Sequence, residues 1–475
     1  MQKNKSKPTD ASVPQTVTGL IKIQTSQESI KIGFTDQKIS PHAGLSVLAG
    51  FFHWHRFKSV LSAHLPIRTS PNATPTADLG LGFMVGILAG AKKLAQVAHL
   101  RRDAVLAGLF GIKRFGSQSA YSRFFGGFKN SHQNTACFAP LWQWCLQRLN
   151  SRRGGYTLDL DSTTLLHEQA HGKEGVRTGY TPQGFRRCYH PLLAVIAEAK
   201  LVAGFWLRPG NTKSANNVVA FTLELLSRLP SYVHFGLVRA DAGFCQEDWL
   251  QLLEQRRLSY IVVGRIHHPV HRLIKQTTVW KKTSLEGVEV AEEVFQAFGW
   301  AQARRLILIR HRQAQRPEAG GRLLLDCPGY RHQVLVTNLG LEVNGLEVWY
   351  RYNGRADSEN VIKELDASFA LPELCLHGFH ATEAALTLAV LSYNLSILFQ
   401  KHLGWAERVT AATLRFRLFT TGGTTSRTGG YRTIRLSVPA GPLRDWWRSL
   451  WDKITATFPN CDAVARFPSA LPIQT

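Results

Sequence analysis

The stretch "GYTLDLDSTTLLH", residues 155–167, decides how the rest of the chain is read. Its alternation predicts a strand, with Leu158 and Leu160 on one side and Asp159 and Asp161 on the other. Two carboxylates on one strand face are either solvated charges on a half-exposed sheet or part of a site that holds a cation.

Downstream, "YHPLLAVIAEA" and "LVAGFWLRPGN" read as two further strands joined by short turns, giving a meander of three. A helix follows in "SANNVVAFTLELLSRL", then the strand "HFGLVRAD", the helix "QEDWLQLLEQRR" and the strand "SYIVVG". Meander strands followed by βα units imply a mixed sheet with helices on its faces. From about 265 to 350 helical periodicity stops, and "RRLILIRH", "HQVLVTNL" and "GLEVWYRY" alternate like strands, which reads as a β-rich insertion. Helices resume in "DSENVIKELDASF" and "ATEAALTLAVLSYNLSILFQKHL".

The flanks differ in character. Residues 1–40 form a polar lead with a small hairpin expected around "TSQES". Residues 41–150 are helical in pattern, with Ser117 expected to cap a short helix carrying Tyr121, Arg123 and Phe124. Together these give a basic, aromatic, helix-turn-helix-like patch, in which Lys113, Arg114, Arg123 and Lys129 are candidate DNA contacts. The remaining divisions are 151–264 and 351–403, two parts of one core around the insertion 265–350, and a basic region 404–475. There "TTGGTTSRTGGYRT" lacks the GK[ST] of a nucleotide-binding loop and reads as a flexible turn, with Arg427 and Arg432 as backbone-contact candidates. "DWWRSLW" reads as an amphipathic helix.

Charge narrows the partner class. The 57 Lys and Arg against 33 Asp and Glu leave +24, with a pI near 10.0, a field that favours polyanions, nucleic acid before anionic membrane. Residues 1–150 hold 18 basic and 5 acidic side chains, and no acid lies between Asp103 and Asp159. Seven cysteines without a CxxC pair suit a reducing compartment, so free thiols in the cytoplasm are expected. The two most apolar segments, one interrupted by Lys92 and Lys93 and the other by Asn394, read as buried helices, so no membrane partner is expected. "HWH" and "HHPVH" come without a cysteine or acid to complete a tetrahedral zinc set.

Two further acids join the pair on the strand. "HFGLVRADAGF" ends its strand in Asp241 with small residues after it, a position where open α/β sheets bind ligands. In "YNGRADSENVIKEL", Glu359 falls in the first turn of a helix; alone it would read as an exposed acid paired with Lys363 or Arg355. Three acids from two strands and a helix make a hard oxygen donor set suited to Mg2+ or Mn2+.

"LDLDST", "VRADAGF" and Tyr352-x2-Arg355-x3-Glu359 resemble the three signature regions of bacterial insertion-sequence transposases of the DDE type. The resemblance spans roughly residues 41–403 and includes "GILAGAKKL", "GIKRFGSQSAYSRFF", "YHPLLAVIAEA" and "LRPGN". It implies an RNase H-like mixed sheet flanked by helices and interrupted by a β-rich insertion, with a helical N-terminal DNA-binding region. It implies Asp161, Asp241 and Glu359 as catalytic metal ligands for Mg2+, with Mn2+ as substitute; Asp159, one strand repeat before Asp161 on the same face, then reads as a supporting acid behind them. Tyr352 and Arg355 would contact a DNA phosphate, with Lys363 as the third contact. The signature lysine, seven residues after the glutamate, is replaced by Asp366, and Lys363 lies one turn away. Relatives use an aromatic of the insertion to stack a displaced base, for which Trp300 and Trp349 are candidates, each also readable as a core residue. The expected partners are double-stranded DNA, as terminal inverted repeats and target, and a second copy of the chain bridging two transposon ends. Asp161 and Asp241 lie 80 residues apart and Asp241 and Glu359 118 apart, room for two strands and a helix, then for a βα unit plus the insertion.

Overall fold

The computed structural model describes residues 21–67, 73–181, 183–312, 322–323, 329–428 and 431–456. The polar lead before residue 21, the tail after 456, and Cys327 and Cys461 lie outside the described residues.

A large mixed sheet organises the fold. Its main strands in chain order are β1 (Tyr156–Ser162), β2 (Leu192–Ile196), β3 (Leu201–Trp206), β4 (Phe235–Ala240), β5 (Tyr260–Val263), β6 (Lys281–Lys282), β7 (Val288–Phe295), β8 (Arg304–Arg312) and β9 (Tyr330–Thr337). They lie side by side as β6-β7-β8-β9-β5-β4-β1-β2-β3, with the short strand Arg322–Leu323 on β9. β1, β2 and β3 are antiparallel neighbours, whereas β4 runs parallel to both β1 and β5. The strand order 3-2-1-4-5, with an antiparallel meander followed by two parallel strands, is the RNase H-like arrangement expected from the sequence.

The insertion holds the expected strands β8 and β9 and also β7, which the sequence reading did not name, but it is not a separate β unit. β9 pairs antiparallel with β5, Ile261 opposite Thr337, so the insertion extends the core sheet directly. Two helices also lie in this region. One is His268–Gln276, which begins in the "HHPVH" motif. The other corrects the strand expected at "GLEVWYRY": Gly345–Asn353 is helical. Asn344 caps it, its side-chain oxygen accepting the Glu347 N–H at 2.9 Å. The buried residues Gly345, Val348 and Trp349 follow helical spacing at i, i+3 and i+4. The alternation of Leu346, Val348 and Tyr350 was incidental to that period.

Helices that frame the site and the core include α1 (Ser46–Trp54), α2 (Thr76–Leu88), α3 (Ser131–Leu146), α4 (Gly345–Asn353), α5 (Ala356–Ser368), α6 (Phe379–His402) and α7 (Pro442–Ala456), while the expected helices Val218–Ser227 and Glu247–Gln255 add Phe221, Leu225 and Trp249 to the core. α6 is apolar nearly all round and therefore has no solvent face; it packs between α2, α3 and β3. It is long and apolar enough to cross a membrane, yet 94% of its most apolar window is buried inside the fold. One continuous apolar core runs from Leu45 to Ile454, and two smaller clusters line the sheet extension. The N-terminal hairpin pairs Ile21–Gln24 with Ser29–Ile32. The glycine-rich segment expected as a flexible turn is a hairpin, Gly423–Thr428 with Tyr431–Leu436, joined by Ile39–Ser40 as a third strand. α7 is the expected amphipathic helix; Trp447, Leu450 and Ile454 are buried, and it packs on α1.

Candidate active site

The three acids belong to one end of the sheet. Leu160 of β1 pairs with Ala240 of β4, so the next residues, Asp161 and Asp241, leave adjacent parallel strands side by side, with backbones about 5 Å apart. Asp161 is buried, and its Oδ1 accepts the Ser162 N–H at 2.8 Å. Asp241 ends β4 and caps the following turn, its Oδ1 accepting the Gly243 N–H at 2.8 Å. Gly243 is required there: a Cβ would stand 2.7 Å from Cβ of Ser214 and 2.9 Å from Oδ1 of Asp241.

Glu359 reaches the same end from the first turn of α5, through Arg355. The buried guanidinium of Arg355 donates to Oδ2 of Asp161 at 2.8 Å and lies 3.8 Å from Oε1 of Glu359, whose side chain is 54% exposed. Burial pushes the Asp161 carboxyl up to about 6; Arg355 opposes the rise, while the nearby negative charges of Asp241 and Glu359 add to it. Burial likewise works against the charge of Arg355, but Asp161 and the groups around it hold its pKa above the ordinary value. Tyr352 sits in the same cluster, its hydroxyl pKa raised by burial and by Asp241 and Asp161. A guanidinium thus stands among carboxylates that would otherwise repel. Among the described residues, no group of three His, Cys, Asp or Glu side chains is arranged to hold a metal.

Asp159 has a different task from Asp161. Fully buried, it receives two hydrogen bonds from Arg239, Nε to Oδ1 at 2.6 Å and Nη2 to Oδ2 at 2.8 Å. Arg239 also donates to the backbone oxygen of Arg351 near the end of α4. This buried pair ties β1 and β4 to the helix that leads into Arg355. Gly354 is small for the same reason, since a Cβ would lie 2.7 Å from Nη1 of Arg239. Sequence reasoning overlooked Arg239, though a signal was available: Asp159 and Arg239 are separated by the same 80 residues as Asp161 and Asp241.

Arg208 was also overlooked. Buried and without an acidic partner among the described residues, it donates to the backbone oxygens of His190, Lys213, Ser214 and Asn216. The loop it organises brings the Ser214 hydroxyl to 2.9 Å from that of Ser162 and packs Ser214 on Gly243, bracing both aspartates from one side.

Lys363 is exposed, one turn beyond Glu359 on α5. Asp366, where the signature lysine was expected, turns inward: burial and the charge of Glu373 raise its carboxyl to about 6, and its Oδ1 is buried without a hydrogen-bond partner. Trp349 is buried, its Nε1 donating to Gln333, and Trp300 is half-buried under the Arg304 guanidinium. The aromatic that the insertion exposes fully is Phe298, between β7 and β8. Lys113, Arg114, Arg123, Lys129, Arg427 and Arg432 are all exposed. In the N-terminal patch, however, the aromatics belong to the core: Tyr121 and Phe124 are buried, on a helix capped as expected by Ser117.

An RNase H-like sheet with acids at the ends of its two central parallel strands, and a third on a following helix, defines a class of polynucleotide-processing folds. The description "transposase DDE domain group 1" matches residues 22–457, and the chain belongs to that family. No curated protein matches. Among solved structures the chain is similar to a cryo-EM structure of the piggyBac transposase synaptic complex with hairpin DNA. The identity is 13%, with 92% of this chain and 90% of that one covered and a TM-score of 0.42. At that level the likeness adds nothing to what the strand order already says.

Proposed function

We propose that this transposase binds the terminal inverted repeats of its own insertion sequence in the bacterial cytoplasm, at the nucleoid, and carries out metal-dependent strand cleavage and strand transfer, two copies bridging two ends. The observation that carries this reading is the emergence of Asp161 and Asp241 side by side from parallel strands, with Glu359 joined to them through Arg355.

By donor chemistry rather than by present arrangement the set suits a hard divalent cation: three carboxylates, two of them fixed by backbone N–H bonds, with the Arg355 guanidinium between Asp161 and Glu359 where a cation would otherwise offset their charge. Asp161, Asp241 and Glu359 would hold Mg2+, or Mn2+ in its place. When bound, the metal supplies Lewis-acid activation of a phosphodiester and of the attacking hydroxyl. The remaining work belongs to the chain's own residues. Arg355, now held by Asp161, has the planar fork that grips a phosphate through two donors, and Tyr352 adds a hydroxyl beside it. Lys363, exposed on the helix of Glu359, adds positive charge for the strand backbone. Arg208 and Ser214 keep the aspartates in place as the DNA enters.

The test uses purified chain, Mg2+ and a duplex carrying the inverted repeats that flank its gene. The wild type should cut at the repeat boundary and join the 3′ end to a target duplex. Asp161→Ala and Asp241→Ala should each lower cutting by at least about a thousandfold; undiminished activity in either would sink the assignment. Cutting without joining would identify a nuclease on the same core. A second reading, a decayed copy that binds DNA without cutting, draws on Asp366 in place of the signature lysine; it requires that Mn2+ titration give no binding heat.

A further inference from the structure

We propose that the hairpin between β1 and β2 is a stacking surface for unpaired DNA bases, with Tyr180 and Phe185 as its platform. The inference rests on the reading of this chain as a DNA transposase and adds a contact outside the β-rich insertion.

The hairpin pairs Arg177–Thr181 with Gly184–Tyr189, and Leu165–Leu166 forms its third strand. It leaves the central sheet at the carboxylate end: Asp161 and Ser162 close β1 opposite Leu193 and Leu192, the first residues after the hairpin returns. Tyr180 is directly opposite Phe185, so both rings rise from the same face. Each is 74% exposed, and their centroids lie 5.9 Å apart in an edge-to-face arrangement. Three residue steps separate them from the anchored pair of Arg177 and Cys188, a reach of about 10 Å.

The platform is rigid where it joins the protein. Gly179 meets the Gly210 backbone so closely that a Cβ would stand 1.9 Å from the Gly210 oxygen. At the tip, the Thr181 hydroxyl donates to the Gly184 oxygen at 2.8 Å and accepts the Gln183 N–H at 3.2 Å. Two large rings are therefore held in water by a preorganised scaffold, an arrangement that costs solubility unless a ligand covers them.

Charge selects the ligand. Residues 175–189 carry Arg177, Arg186 and Arg187 and no acid, though Arg186 lies 3.4 Å from Glu168 beside the third strand, on a chain of net charge +24. A second copy would bring like charge to this face, whereas a nucleic acid brings the opposite sign. Intact duplex offers aromatic rings no free base face; an opened or single-stranded segment does, with arginines beside it for the phosphates.

The experiment titrates the full chain, by fluorescence anisotropy, against a fully paired duplex and the same duplex with a few central unpaired bases. The wild type should prefer the opened duplex by about tenfold or more. Tyr180→Ala/Phe185→Ala should lose that preference while keeping its paired-duplex affinity and unfolding midpoint, and Tyr180→Phe should retain it. A wild type without preference, or a double variant that keeps it, would overturn the proposal and leave the transposase reading standing. Self-association abolished by the double variant would assign the face to a second copy instead. A wild type that binds neither duplex would remove both readings.

Discussion

At the scale of single residues, the two carboxylates of "LDLD" divide their work by one strand repeat. Asp161 opens toward Asp241 and Arg355, and Asp159 is consumed by Arg239. Asp159→Ala would leave the Arg239 guanidinium buried beside an apolar methyl, and we expect a loss of about 3–5 kcal/mol in urea unfolding. Asp366 makes a prediction of opposite sign. Its folded pKa of about 6 exceeds that of an unfolded aspartate, so the folded state binds the proton more tightly. The wild type therefore loses stability as pH rises between about 4 and 6. Asp366→Asn does not titrate there and should be more stable than wild type at pH 8 by on the order of 1–2 kcal/mol, the difference closing toward pH 4. Equal urea midpoints for the two proteins at pH 8 would show that Asp366 is not strained. The sequence pointed to Asp161, Asp241 and Glu359 because strand ends and helix starts are local signals. Arg208 and Ser214 escaped because their partners are backbone atoms whose proximity depends on how a loop closes.

At the scale of elements, the legible parts were those whose period matches their burial. β1 to β5 appear at the expected stretches because each alternates or runs apolar between turn residues. α4 was misread because eight residues satisfied two periods at once and only the Asn344 cap decided between them. The long helix α6 carries its own check. Asn394, fully buried, spans the backbone of Val202 on β3, its Oδ1 accepting the N–H at 2.9 Å and its Nδ2 donating to the oxygen at 2.8 Å. Asn394→Leu preserves the size but leaves both backbone groups unpaired in the core, so we expect a loss of about 2–4 kcal/mol in chemical denaturation. A change within about 0.5 kcal/mol would mean that water or a shifted strand replaces the amide.

At the scale of the whole molecule, composition narrowed the class of partner to expect and local pattern gave most of the strand order, but neither revealed that the insertion continues the same sheet. That depends on β9 returning antiparallel to β5 across some 70 residues of intervening chain. The excess positive charge should appear as a log–log salt dependence of DNA affinity of slope about −5 or steeper, the signature of six or more neutralised phosphates; a nearly flat dependence would argue against a phosphate-driven interface. The size of the sheet has one more consequence, for the chain in crowded solution. A sheet this wide with bare margins would invite neighbouring copies to add strands without limit. One margin, β6, is two residues long and consists of two exposed lysines; at the other, Asn394 occupies the outward-facing amide of Val202 on β3. The short lysine strand at one margin and the Asn394 amide at the other each take away part of the bare backbone that strand addition needs.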